Sequence, residues 1–247
     1  MTTFNDEFYR DILEGLAIHA GSALQRDVLA TISRHDEPAI GAALNKNQIA
    51  SKLWLAESLR ASAGTAFPQV LILGGWVGVL GAVLLHDPRF AIDSVLSIDI
   101  DPRCTPIAES LHATPVHAGR YAAQTDDLLG FDYGGPGGDG GGIGNSDFGT
   151  GGDGGDCGSG SDGDGGNPNR SGRFDLVINT SCEHLEDFAG WYRQVPAGQL
   201  MVLQSNDYFA CREHVNSVAD LAAFRAQAPM REVLFAGQRA MRHYTRF

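Results

Sequence analysis

The chain has 247 residues, 43% of them hydrophobic, enough for one good core, so a single main domain with a small N-terminal extension is the economical organisation. A formal net charge of −12 with no local basic cluster argues against a nucleic-acid partner, whose phosphates would need neutralising. Four widely spaced cysteines, Cys104, Cys157, Cys182 and Cys211, form no C-x-x-C pair; they signal neither a zinc knuckle nor a disulfide framework and fit a reducing compartment.

The N-terminal stretch Met1–Glu7 is acidic and lacks the basic and apolar regions of a secretory signal. From about Asp6 to Leu59 the apolar residues recur at helical spacing: Phe8, Ile12 and Leu16, then Leu24, Val28 and Ile32, then Ile49, Leu53 and Trp54. These predict a small helical cap over residues 1–66, with Asn45 or Asn47 capping its last helix. Pro68 introduces a domain over 67–247 in which strands and helices alternate. The spacing predicts a strand at 70–73, a helix at 77–85, a strand at 94–98, a helix at 103–111 and a short strand at 114–117. Further strands are expected at 174–178, 199–203 and 233–235, with a last, antiparallel one at 241–245. The expected fold is therefore α/β: a Rossmann-like, doubly wound, mostly parallel seven-stranded sheet beside an N-terminal helical cap. The longest uncharged apolar stretch, Val70–Leu85, is shorter than the ~20 residues of a spanning helix and holds several glycines, so a cytoplasmic protein without a membrane partner is expected.

Residues 134–172 carry more than half of the chain's 32 glycines and many aspartates. Such a composition offers almost no apolar surface against the entropy of ordering, which predicts a disordered insertion before the fourth strand. Gly151-Gly152-Asp153-Gly154-Gly155-Asp156 echoes a calcium-binding repeat, but a single unit cannot stack into a site.

Chemistry is expected where apolar strands end. Val70–Leu73 breaks into Gly74-Gly75-Trp76-Val77-Gly78, and Val95–Ile98 ends in Asp99. Glycines at a strand-to-helix turn admit a ligand close to the backbone, and a carboxylate ending the next strand can accept both ribose hydroxyls, so the unit reads as nucleoside-binding. The spacing is not the G-x-G-x-x-G of dinucleotide sites. Here the chain resembles the class I S-adenosylmethionine-dependent methyltransferases, whose first loop reads acidic-x-G-x-G-x-G and whose second strand ends in an acid. Gly74, Gly78, Asp99 and Asp175 match, while Ile72 stands in place of the acid and Trp76 in place of the middle glycine. The resemblance implies S-adenosylmethionine as cofactor, with Gly74, Gly75, Trp76, Gly78, Asp99 and Asn179 around it. The Trp76 ring would either face the sulfonium through a cation–π contact or pack beneath the first helix.

The fourth strand ends in Asn179-Thr180-Ser181-Cys182-Glu183-His184 and the fifth in Gln204-Ser205-Asn206, followed by His214-Val215-Asn216. His184 is the candidate general base because its ordinary pKa suits proton removal near neutrality, with Glu183 and Asn179 as catalytic partners. Asn206, His214 and Asn216 are candidates for holding a small polar substrate. Glu183, His184 and His214 would make a plausible ligand set for a metal, yet no H-x-x-x-H or H-E-x-x-H spacing fixes two ligands on one face, so no metal is predicted. No G-x-S-x-G elbow supports a hydrolase. The leading expectation is O- or N-methylation of a small polar molecule by in-line transfer. Attack at the methionine γ-carbon with release of methylthioadenosine, and a non-catalytic nucleoside-binding or scaffold role, are the alternatives. Oligomeric state carries no sequence signal.

Overall fold

Strands buried on both faces must be apolar throughout, and three such runs build the middle of a parallel sheet. The computed structural model describes residues 22–35, 38–133 and 174–247. The predicted helix through Phe8, Ile12 and Leu16 and the glycine- and aspartate-rich stretch 134–172 lie outside them. The described elements run α1 (Ala23–Arg34), α2 (Pro38–Ala43), α3 (Lys46–Ala63), β1 (Gln69–Leu73), α4 (Val79–Leu85), β2 (Ser94–Asp99), α5 (Cys104–Leu111), α6 (Ala113–His117) and β3 (Tyr121–Thr125). They continue with β4 (Leu176–Asn179), a 3-10 turn (Cys182–His184), α7 (Phe188–Gln194), β5 (Met201–Leu203), α8 (Leu221–Gln227), β6 (Arg239–Ala240) and β7 (Thr245–Arg246).

Five strands pair in parallel in the order β3-β2-β1-β4-β5. The strand order reverses between β1 and β4, which puts a crevice beyond their carboxyl ends. Side chains alternate across the sheet: Leu71, Leu73 and Val177 join Phe188 and Trp191 on one face, while Val70, Ile72 and Ile178 join Leu55, Leu59, Leu80 and Leu84 on the other. Asp175 works at the opposite end from the crevice, where its carboxylate accepts the Gln69 N–H at 2.7 Å.

Several expectations change. Residues 114–117 are helical rather than a strand: buried Asp27 of α1 accepts both the backbone N–H and the hydroxyl of Thr114, at 3.0 and 3.2 Å, and Pro115 has no N–H to give a ladder. The third strand is instead Tyr121–Thr125. Val233–Phe235 forms no strand; these residues are 41–50% exposed, and Phe235 rests edge-on against Trp54. The strand expected at 241–245 is instead mostly the turn of a separate antiparallel ladder, in which Arg239–Ala240 (β6) pairs with Thr245–Arg246 (β7). Arg246 also bridges Asn206, and Ser205 and Phe247 exchange backbone hydrogen bonds, so the chain's end runs antiparallel beside the segment that follows β5. Among the described residues the seven-stranded sheet is thus a five-stranded sheet and a two-stranded ladder. No helix there is long and apolar enough to cross a membrane.

α1 and α3 form as predicted, with their buried faces rotated from the predicted ones. Ile32 and Leu53 are exposed, whereas Asp27 and Thr31 of α1 and Ser51, Lys52, Leu55, Ala56 and Leu59 of α3 are buried. Asn45 caps α3 by accepting the N–H groups of Asn47 and Gln48 at 2.9 and 3.0 Å.

The start of α4 is tied to the sheet by His112, which is fully buried and stacks on Tyr121 with ring centroids 3.7 Å apart. Its Nε2–H donates to the Gly78 carbonyl at 2.9 Å. Burial lowers its pKa to about 4, so the folded imidazole stays neutral where the unfolded one, near 6.5, takes a proton. The unfolded state therefore binds more protons between those values, and stability must fall as pH drops through that window, by about 3 kcal/mol in full. His112→Gln keeps a donor without the titration. Urea unfolding at pH 7 and pH 4.5 is expected to show wild type losing about 2 kcal/mol more than this variant, and equal losses would refute the assignment.

Candidate functional site

The turn after β1 is built on left-handed backbone. Gly74, Trp76 and Gly78 all have positive φ, at 59°, 50° and 85°, and Trp76 is the one non-glycine residue with that sign among the described residues. Trp76 therefore replaces the glycine of the family pattern in sequence while keeping the conformation a glycine would give, at a cost of about 1–2 kcal/mol. A latch offsets that cost. The Trp76 N–H donates to Asp99 Oδ2 at 2.8 Å, the Asp101 N–H to Asp99 Oδ1 at 3.0 Å, and the Gly75 N–H to the Ile98 carbonyl at 3.0 Å. Each Asp99 oxygen has spent one acceptor site on the backbone and keeps a second. Gly74 is irreplaceable for a steric reason as well, since a Cβ there would lie 2.7 Å from Ser181 Cβ and Oγ.

The Trp76 indole packs against a cluster containing Ile40 of α2, Val79 of α4 and Ile107 of α5. It also lines a cavity of ≈ 280 Å³ together with Ala39, Asp101, Arg103, Cys104 and Ile107. Packing, one of its two expected roles, thus describes where the ring lies.

Across the crevice, Ser181 Oγ donates to the Gly74 carbonyl at 3.1 Å and joins the loops after β1 and β4. Asn179 is fully buried at the end of β4; its Oδ1 accepts the Ser181 N–H at 2.9 Å, and its Nδ2 is an unpartnered donor. The chain then enters the 3-10 turn, which turns Glu183 inward (2% exposed) and leaves His184 exposed. Glu183 Oε1 accepts from Asn206 Nδ2 at 2.6 Å and Arg246 Nη1 at 2.7 Å, while Oε2 is buried without a partner. His184 stands perpendicular to His214, with centroids 4.6 Å apart. Asn216 braces the turn, its N–H donating to the Glu183 carbonyl at 2.8 Å and its Nδ2 to that of Cys182 at 3.0 Å.

Lys52 of α3 is buried nearby and donates to Gln48 Oε1 at 3.0 Å. Burial and then the Arg246 charge lower its pKa to about 7, against an opposing pull from Glu183. Burial also lowers the pKa of His214, which keeps that ring neutral near pH 7. Burial, followed by Glu183, pushes the Cys182 thiol well above its ordinary range, so it cannot serve as a thiolate nucleophile.

No protein-family model matches the chain, and no curated protein sequence matches it. Solved structures do. The small RNA methyltransferase HEN1 matches at 14% identity with a TM-score of 0.50, over 79% of this chain and 22% of that one. N-methyltransferase NodS from Bradyrhizobium japonicum matches at 14% and 0.46, over 83% and 96%. The YcgJ protein from Bacillus subtilis matches at 13% and 0.45, over 72% and 66%. Over the part the two share, the chain has the fold of a methyltransferase, HEN1. The chain spans just under two thirds of YcgJ.

Within the methyltransferase fold, Gly74, Gly75, Trp76, Gly78 and Asp99 lie in one latched loop, with Asn179 behind it at the strand-order reversal. Glu183, His184, His214 and Asn206 form a second group on the β4–β5 side. Asn206 and Asn216 hold the protein's own groups, the Glu183 carboxylate and the Cys182 carbonyl. Two charged members of this second group escape the sequence reading. Lys52 stands at i+3 from Ile49 and i−3 from Leu55, and a lysine on that helical face was the available signal. Arg246 carries none, because the pairing that brings it to Glu183 spans 63 residues.

Proposed function

We propose that this protein is an S-adenosylmethionine-dependent methyltransferase that acts on a small polar substrate at oxygen or nitrogen. The observation that supports this best is the Asp99 latch. A carboxylate at the end of β2 holds Trp76, the middle one of three alternating left-handed residues, and still has acceptor capacity, near a cavity suited to part of a nucleoside. In this reading Asp99 accepts the ribose hydroxyls, the cavity beside Trp76 takes the base, and Gly74 and Gly78 admit the methionine end. The Asn179 Nδ2 supplies a preformed donor at the crevice floor. When bound, the cofactor supplies a methyl carbon made electrophilic by its sulfonium.

The chain's own work is positioning. Glu183, fixed by Asn206 and Arg246, anchors the substrate side of the crevice, and His184, exposed at its mouth, accepts a proton from a nucleophile that carries one. The helices of residues 22–63 act as a cap that delivers Lys52 to this side. An acidic, cytoplasmic enzyme without nucleic-acid substrates fits the charge of −12.

The test is a product analysis. The full chain is incubated with S-adenosylmethionine and a small-molecule extract and followed by mass spectrometry. S-adenosylhomocysteine is expected to accumulate. Methylthioadenosine in its place would transfer the reaction to the γ-carbon, and neither product would remove the enzymatic reading.

A further inference from the structure

Two imidazoles and a carboxylate meet at the turn after β4. One ligand atom from each of Glu183, His184 and His214 lies within 4.8 Å of the others, the one such group of three among the described residues. What surrounds them is as informative as the cluster itself. His184 Nδ1 faces the Glu213 carbonyl at 3.0 Å and His214 Nδ1 faces the Tyr208 carbonyl at 3.2 Å. A carbonyl only accepts, so both rings carry a proton on Nδ1, and the neutral form of each then offers its lone pair at Nε2. Glu183 shows the same division: Oε1 is fixed by Asn206 and Arg246, while Oε2, on a side chain 3% exposed, has no partner. Leaving a buried carboxylate oxygen unsatisfied is costly in a folded protein unless something occupies the position.

We propose that Glu183, His184 and His214 bind a divalent first-row transition ion of the zinc type. Two imidazoles and one carboxylate form a three-ligand set that leaves a coordination position open. Imidazole nitrogens favour such ions over magnesium or calcium, which take oxygen ligands. Anchoring the far nitrogen of each imidazole on a carbonyl, and the far oxygen of the carboxylate on two donors, is the outer-shell arrangement that fixes ligand orientation. Metal–ligand distances of ~2.0–2.1 Å require the three atoms to close inward, and His184, exposed on a turn, has room to move. The site escapes the usual helical spacing because adjacent residues of a 3-10 turn supply two ligands and a distant loop the third. The sequence alone led to no metal being expected, and an ion on Nε2 would take the lone pair with which a metal-free His184 accepts a proton.

The full chain, stripped with a chelator and dialysed, is titrated calorimetrically with Zn²⁺ without S-adenosylmethionine. One equivalent is expected to bind, with Co²⁺ giving a visible absorption band at the same stoichiometry and millimolar Mg²⁺ failing to compete. His184→Ala, at an exposed ring, and His214→Gln should each weaken Zn²⁺ at least about tenfold, with urea midpoints showing that both variants remain folded. Binding of well under one equivalent, displacement by Mg²⁺, or full affinity in both variants overturns the proposal. Cofactor affinity is measured separately, so failure of the methyl-transfer reading is distinguishable from failure here.

Discussion

Arg246→Ala is expected to destabilise the protein by about 3–5 kcal/mol, the cost of leaving a buried carboxylate without its counter-ion. Arg246 and Glu183 are 4% and 2% exposed, and the 2.7 Å contact between them is made where water cannot screen it. Burial alone would lower the pKa of the guanidinium, but Glu183 and then Tyr244 hold it above the ordinary value, so Arg246 stays charged in the folded chain. Typical domains have only about 5–15 kcal/mol of total stability, so the single variant approaches the limit of folding. Glu183→Gln/Arg246→Met removes both charges and keeps the volume. Urea unfolding in chelator is expected to place this double variant closer to wild type than Arg246→Ala, because an ion pair is worth little net while an orphaned ion is expensive. A double variant as unstable as the single one would mean that the pair itself supplies the stabilisation.

That pair also marks where sequence reasoning runs out. The β1–loop–α4–β2 unit was legible because its signals are local: an apolar run, glycines, a second apolar run and an acid, all within 30 residues. Even the departure at Trp76 changes the side chain and not the left-handed backbone. The polar ends of β4 and β5 were legible for the same reason, as apolar runs stopping at Asn179 and Gln204. The partners of those residues were not. Arg246 sits in a two-residue strand, and nothing in Tyr244-Thr245-Arg246-Phe247 predicts that Asn206 and Ser205 lie alongside it. The missed helix at 113–117 has the same cause. Thr114–His117 reads as a short strand by propensity, and a carboxylate 87 residues earlier, Asp27, decides otherwise.

Asp99→Ala is expected to weaken S-adenosylmethionine binding by about 10- to 100-fold, since each hydrogen bond to a charged group contributes roughly 1.5–3 kcal/mol and a tenfold loss is 1.4 kcal/mol. Two losses combine in this variant. The ribose hydroxyls would lose their acceptor, and the Trp76 N–H would lose the bond that holds its left-handed backbone in place. Asp99→Asn separates them, because an amide oxygen can still accept one backbone N–H but offers less to a diol. Its affinity is expected to fall between wild type and the alanine variant. Calorimetric titration with S-adenosylmethionine and S-adenosylhomocysteine measures all three proteins. Thermal unfolding without ligand reads the latch alone, where the loss should stay near the strain of one residue, about 1–2 kcal/mol. If Asp99→Ala binds the cofactor within twofold of wild type while its unfolding temperature drops, the carboxylate serves the loop and not the sugar. The nucleoside site would then have to be sought away from the end of β2.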